Sequence, residues 1–257
     1  MLTAQNVHLQ LGGTPVLKGI SLTAEAGTIT VVMGANGSGK TSLIRLLTGE
    51  IPANQGSIHF NHDLIENWSP ARRACKMAVL PQASTLNFPF TVKEVVMLGR
   101  TPHSTGLKKD AQIVSEVLEL VDAIDLESRL YTHLSGGEKQ RVQLARVLAQ
   151  IWNPEDELDQ AILLDEPSAS LDLEHQQLML KVVKDLALRN VTVLLVLHDI
   201  NLATFCADQI IMLRGGQVAK AGKPIDVVQP DIIKQIFNVD VDVIKSQPRG
   251  LPVVIPR

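Results

Sequence analysis

The segment Gly34-Ala35-Asn36-Gly37-Ser38-Gly39-Lys40-Thr41 constrains this chain more than any other stretch. It fits G-x-x-x-x-G-K-[ST], and it sits between an apolar run, Val31-Val32-Met33, and a helical pattern, Thr41-Ser42-Leu43-Ile44-Arg45-Leu46-Leu47. A buried strand that breaks into a glycine loop and restarts as a helix turns successive backbone N–H groups inward toward an anion. The helix adds its positive N-terminal end to that cradle. Lys40 is placed to reach the β- and γ-phosphates of a nucleotide, the Thr41 hydroxyl to ligate Mg²⁺, and Ser42 to stand beside both in the first helical turn. A glycine-rich turn carrying a stray lysine is the plain alternative, and the flanking strand and helix speak against it.

The remaining composition narrows the class. A chain of 257 residues with 45% hydrophobic content fills a sizeable core without staples. Cys75 and Cys206 are far apart, match no metal spacing and read as ordinary core thiols. A net charge of -3 supplies no basic field for gripping nucleic acid. The longest clean apolar run, Val193 to Leu197, falls far short of the roughly 20 residues a spanning helix needs. Met1 to Asn6 has neither a basic n-region nor an apolar h-region. The expectation is a soluble protein whose membrane role runs through partners.

Taken in order, Leu2 to Leu11 and Val16 to Thr23 read as paired strands around Gly12-Gly13-Thr14-Pro15, and Ile29 to Met33 feeds the phosphate loop. Gly56 to Phe60 and Met77 to Leu80 are short strands, the second ending at Pro81-Gln82. Helical patterns follow at Val92 to Leu98, Gln112 to Leu120 and Gly137 to Ile151, and then the polar segment Asn153 to Gln160. From Ala161 strand and helix alternate: a strand to Leu164, a helix from Leu173 to Leu188, a strand from Val191 to Leu197, a helix from Asp199 to Phe205 and a strand from Gln209 to Leu213. Arg214-Gly215-Gly216-Gln217 reads as a tight turn between two final strands, and Asp231 to Phe237 as a short helix. Short apolar runs separated by helices indicate a mostly parallel sheet covered on both faces. The expected fold is therefore α/β, with residues 1–83 and 156–257 forming the core and residues 84–155 inserted as a helical unit.

Other polar residues gather where the same sheet should end. Ala161-Ile-Leu-Leu-Asp165-Glu166 places two carboxylates at the C-terminal end of a buried strand, the edge where open α/β sheets hold ligands. Asp165 is placed to hold Mg²⁺, and Glu166 to polarise the water that attacks a γ-phosphate. Val193-Leu-Leu-Val-Leu-His198 delivers an imidazole to that edge, and Gln82, after another strand, brings an amide for Mg²⁺ or water. Leu134-Ser135-Gly136-Gly137-Glu138 opens the long helix, with Ser135 as N-cap and exposed backbone N–H groups behind it. A second anion cradle in one chain makes sense if Ser135, Gly136 and Gly137 close over the nucleotide held by another copy.

These residues resemble the ATP-binding subunits of ABC transporters across nearly the whole chain: GANGSGKT, Gln82, LSGGE followed by KQRVQLARVLA, AILLDEP, SASLD and His198, in the family's order. The resemblance implies a P-loop NTPase core with an antiparallel N-terminal β subdomain and an inserted helical subdomain. It also implies a head-to-tail homodimer sandwiching two ATP molecules, with Asp172 of the SASLD loop near the facing site, Glu166 as the catalytic carboxylate, and His198 positioning γ-phosphate and water. The aromatic residue on which family members stack adenine corresponds to Leu11 here, so recognition rests mostly on the phosphates.

Within the family the chain is similar to the haemin-import group and to its relatives for ferric siderophores and cobalamin. The likeness lies in Leu86-Asn-Phe88-Pro-Phe90 through Gly99-Arg100, in the insertion at Asn153 to Gln160, in Leu171-Asp-Leu-Glu-His175 and in Leu197-His-Asp-Ile-Asn-Leu202. That similarity implies two copies of a membrane-embedded permease as partners, indirectly a periplasmic substrate-binding protein, and a place on the cytoplasmic face of the bacterial inner membrane. Phe88 and Phe90, directly after Gln82, are expected in an apolar groove that receives the permease. An ABC ATPase acting on nucleic acid or the ribosome is the rival of another class, but it would bring coiled-coil arms, tandem cassettes or basic extensions. A small-molecule kinase would leave LSGGE unexplained.

Overall fold

The computed structural model describes residues 1–82, 86–152, 159–247 and 250–257. Strands β1 (Leu2–Leu11) and β2 (Thr14–Ala24) form an antiparallel hairpin across Gly12 and Gly13, whose φ values of 55° and 82° suit a tight two-residue turn. The chain then runs through β3 (Ile29–Gly34), α1 (Lys40–Leu47), β4 (Gln55–Phe60), β5 (Asp63–Leu64), α2 (Pro70–Lys76) and β6 (Met77–Leu80). Three helices come next, α3 (Val92–Met97), α4 (Leu107–Leu120) and α5 (Gly136–Ile151). The rest alternates: β7 (Ala161–Asp165), α6 (Leu173–Leu188), β8 (Thr192–Val196), α7 (Ile200–Cys206), β9 (Gln209–Arg214), β10 (Gln217–Gly222), α8 (Pro224–Val227), α9 (Pro230–Phe237), β11 (Val241–Lys245) and β12 (Pro252–Pro256).

Two sheets carry the molecule. A four-stranded antiparallel sheet has the order β2-β1-β4-β5, and a six-stranded sheet has the order β10-β9-β3-β8-β7-β6 with only the β9–β10 pair antiparallel. Because side chains alternate along a strand, each central strand feeds two cores. Val31, Met33, Val193, Leu195, Ile162 and Leu164 face the core shared with α3 to α7, while Val32, Leu194, Val196 and Leu163 face α1 and the antiparallel sheet. Burial on both faces is why these strands read as unbroken apolar runs.

The inserted helices hold together through a buried ion pair. Arg100, 3% exposed, donates from Nε to Asp110 Oδ1 at 2.8 Å and from Nη1 to the Ala149 carbonyl at 2.7 Å. Burial works against the Asp110 charge, but hydrogen bonds from Thr105 and Arg100 outweigh it and hold the carboxyl below its usual range. The network ties the turn after α3 to the start of α4 and to the end of α5.

The elements depart from the sequence expectations most clearly in three places. Helix α4 begins at Leu107, one and a half turns before Gln112, because Gly106 at φ 89° starts it without a polar cap. Helix α2 was not expected, although Ser69 caps it and Pro70 opens it, a pattern that favours a helix start. The strands flanking Gly215-Gly216 are not the last: β11 and β12 pair antiparallel from Val241↔Pro256 to Lys245↔Pro252. Prolines at 252 and 256 disguise β12, and a two-stranded sheet has only edges, where proline is tolerated. The hairpin is fastened to α7 by Asn201, whose amide donates to the Val254 carbonyl at 3.1 Å and accepts from its N–H at 2.7 Å. Of the polar segment Asn153 to Gln160, residues 153–158 lie outside the described residues.

Candidate active site

Parallel registry brings the sequence-predicted residues to one edge. Val32 lies beside Val196, Val196 beside Asp165, and Leu164 beside Leu80, so β3, β8, β7 and β6 end at the same level. The phosphate loop, His198, Glu166 and Gln82 each follow one of those ends. They surround a cleft of about 650 Å³ lined by Val16, Asn36, Gly37, Gly39, Lys40, Thr41, Ser42, Gln82, Glu166 and His198.

The loop's shape depends on its glycines. A Cβ at Gly34 would stand 2.4 Å from the Leu213 carbonyl oxygen, and one at Gly39, where φ is 102°, would stand 2.6 Å from Leu17 Cδ2. Lys40, 7% exposed, donates from Nζ to the carbonyls of Gly34 at 2.8 Å and Ala35 at 3.2 Å. Burial pushes its pKa down, and the charges of Glu166 and Asp165 pull it back up. The Lys40 amine is therefore held by two carbonyls, with the charges of two carboxylates nearby, and it lines the cleft that an anion would enter. Ser38 Oγ is buried with no partner.

Asp165 is 2% exposed; its Oδ2 accepts from the Thr41 hydroxyl at 2.9 Å, and its Oδ1 is buried and unpartnered. Burial raises its pKa and Glu166 adds to that, against the Thr41 hydrogen bond and the charges of Lys40 and His198. Asp165 lies behind the cleft wall and not on it, with its orphaned carboxylate oxygen beside the Thr41 hydroxyl; Thr41 and the Gln82 amide line the cleft, and together the three are a set of hard oxygen donors. That set fits Mg²⁺ rather than a softer metal.

Glu166 shows what spacing could not. Its backbone lies in the left-handed region at φ 54°, held there by a hydrogen bond from its N–H to the Val196 carbonyl at 3.1 Å. A non-glycine residue in that region costs about 1–2 kcal/mol, and such strain gathers at working sites. The turn swings the carboxylate across the sheet edge, where Oε1 meets His198 Nε2. The Glu166 side chain is 16% exposed and that of His198 is 45% exposed.

The serine–glycine segment behaves differently. Ser135 caps α5: its Oγ accepts from Glu138 N–H at 3.3 Å, and its own N–H donates to Glu138 Oε2 at 2.7 Å. That reciprocal pair is a capping box. Gly136 and Gly137 pack on Ser170, and a Cβ on Gly137 would stand 3.0 Å from the Ser170 carbonyl oxygen. None of Ser135, Gly136 and Gly137 lines the cleft formed by the loop of their own chain. Leu11 is likewise absent from it: the side chain sits at the hairpin tip, 43% exposed, and the apolar wall comes from Val16 on the return strand. No spacing in the sequence points to Val16; in the fold its backbone lies against the Gly215-Gly216 turn, where a Cβ on Gly216 would stand 2.2 Å from the Val16 carbonyl oxygen.

Known proteins resemble this chain along its length. The model of the ABC transporter family matches residues 17–169. The hemin import ATP-binding protein HmuV of Pseudomonas fluorescens is 44% identical over 257 residues, covering all of both chains. HmuV of Gloeobacter violaceus is 45% identical over 258 aligned residues, covering all of this chain and 94% of that one. Among solved structures, a metal-chelate type ABC transporter in an inward-facing conformation matches with a TM-score of 0.82 at 25% identity, over 100% of this chain and 96% of that one. A dimeric bacterial ABC transporter cassette matches with a TM-score of 0.76 at 25% identity, over 87% of this chain and 98% of that one.

Fold, cleft and kinship define a nucleoside triphosphatase of the P-loop class. The chain belongs to the ABC transporter family, as an ATP-hydrolysing subunit. No helix among the described residues is long and apolar enough to cross a membrane.

Proposed function

We propose that this protein hydrolyses ATP to drive haemin import through a bacterial inner-membrane transporter. End-to-end similarity to hemin import ATP-binding proteins carries the reading, since the cargo never enters the cleft and leaves no mark on it. The backbone from Gly34 to Gly39 cradles the phosphates, Lys40 neutralises their charge, and Ser38, Thr41 and Ser42 offer hydroxyls. Thr41, Asp165 and Gln82 would hold Mg²⁺, which would supply neutralisation of the negative charge that builds up during phosphoryl transfer. Glu166 takes a proton from the attacking water as its oxygen bonds the γ-phosphorus and the bridging P–O bond to ADP breaks. His198 orients that carboxylate and the γ-phosphate.

The cleft of one chain is open on the side where Ser135, Gly136 and Gly137 of a second copy would close it. That arrangement makes the working unit a head-to-tail pair holding two ATP molecules between its halves. The helical unit, residues 84–155, is the part that moves on closure. Phe88 and Phe90, 66% and 36% exposed with ring centroids 6.0 Å apart, form the apolar contact for one of two permease copies. The complex sits on the cytoplasmic face of the membrane and receives cargo from a periplasmic binding protein. The test is uptake into vesicles containing the permease and this chain, with haemin, a ferric siderophore and cobalamin offered in parallel. ATP-dependent uptake of haemin alone is expected; uptake of either other cargo in its place overturns the assignment.

A further inference from the structure

We infer that His175 is a positioning residue: it clamps the loop that follows Glu166 to the helix bearing the serine–glycine cap, so that closure of the cap and alignment of the carboxylate occur together. The inference rests on the roles proposed above for Glu166 and for Ser135 to Gly137.

Residues 167–172 lead from Glu166 into α6, and they lean on α5 at two points before the helix begins. Gly136 and Gly137 pack on Ser170, and Gln140 donates from Nε2 to the Pro167 carbonyl at 3.1 Å. The loop then ends at Asp172, whose Oδ1 caps α6 by accepting the His175 N–H at 2.9 Å. That backbone hydrogen bond also holds the Asp172 carboxyl below its usual range.

The imidazole of His175 makes the third connection, and it reaches outside its own helix. Its Nδ1 lies 2.6 Å from Asp172 Oδ1 and its Nε2 lies 3.5 Å from Asp122 Oδ2. Asp122 belongs to the inserted helices: it ends the turn after α4 in a left-handed conformation, φ 53°. Arg141, on the second turn of α5, grips the same residue, donating from Nη1 to Asp122 Oδ2 at 3.0 Å and to the Asp122 carbonyl. A chain of charged and polar contacts thus runs from Asp172 through His175 and Asp122 to Arg141, six residues along from Ser135. The His175 side chain is 19% exposed, over a floor of Val121, Leu144, Leu171 and Met179.

Helix stability alone does not call for this imidazole. The Asp172 cap needs only the His175 backbone N–H, and Arg141 already holds Asp122. What His175 adds is the link between the two, joining a loop of the nucleotide-binding core to the block that carries the cap.

The test uses the full chain with its permease in vesicles and the variants His175→Ala and Asp122→Asn. Asparagine tolerates the left-handed backbone and still accepts from Arg141, so Asp122→Asn removes one charge and leaves the turn intact. Each variant is expected to lower kcat for ATP about tenfold, with the KM for ATP and the melting temperature little changed, and the double variant to be no worse than either single one. Rescue of Asp122→Asn by Asp122→Glu, a carboxylate one methylene longer, is expected to be partial. Unchanged kcat in both single variants, or losses that add in the double variant, overturns the clamp. Ser135→Arg serves as the control: if it leaves hydrolysis intact, the cap assignment itself fails and the clamp falls with it. Hydrolysis that Ser135→Arg abolishes while His175→Ala and Asp122→Asn spare it sinks the clamp alone.

Discussion

At the phosphate loop, Ser38 Oγ and Asp165 Oδ1 are buried without partners; at the serine–glycine segment, Ser135 is fully engaged by Glu138. The first region has polar groups whose desolvation is offset only when a guest arrives. In the second, the Ser135 side chain and N–H are satisfied by its own helix, and the helix start at Ser135 and Gly136 is exposed. Two glycine-rich loops of similar composition are therefore built in opposite ways: one is a socket with unmet polar groups, and the other a finished surface, as the proposed pairing of two copies requires.

The comparison can be tested by damaging each region in turn. Glu166→Gln removes the proposed proton acceptor beside the socket and keeps its shape; ATP turnover should fall by ~10²-fold or more while nucleotide binding persists. Near-normal turnover in a steady-state assay would move the chemistry elsewhere. Ser135→Arg damages only the outward surface. It should lower turnover by at least about tenfold, yet leave the nucleotide affinity of the single chain within a factor of two by calorimetry, because the loss is delivered to the neighbouring copy. Lys40→Ala should do the reverse, weakening that same affinity by about tenfold through loss of a charge-assisted contact. The smallest effect is expected from Glu138→Ala, which opens the capping box. It should cost about 1 kcal/mol, or about 2–4 °C in melting temperature, without altering nucleotide affinity.

Much of the socket was legible because its chemistry is contiguous. Gly34 to Thr41 carries loop, cation and hydroxyl in eight residues, and Asp165-Glu166 and His198 each close an apolar run, so strand register alone predicts that they converge. Ser135 was legible for the same reason, since its capping partner is three residues away. What escaped depends on contacts distant in sequence or on a backbone torsion. Leu11 is the expected apolar cover for a base by position along the chain, whereas the apolar side chain lining the cleft is Val16, on the return strand of the hairpin and not at its tip. The β11–β12 pair escaped because prolines mask its alternation and because part of its support, the Asn201 clamp, comes from fifty-three residues away. The pairing of His198 with Glu166 needed the turn at φ 54°, which no spacing rule forecasts.

That turn has an evolutionary consequence. Asparagine or glycine occupies left-handed backbone more comfortably than glutamate, so replacing Glu166 with either should make the chain harder to melt while silencing it. On the role proposed for Glu166, screening this protein for heat tolerance alone would reward the loss of its catalytic carboxylate, and a hardened variant should have its turnover checked before its robustness is believed.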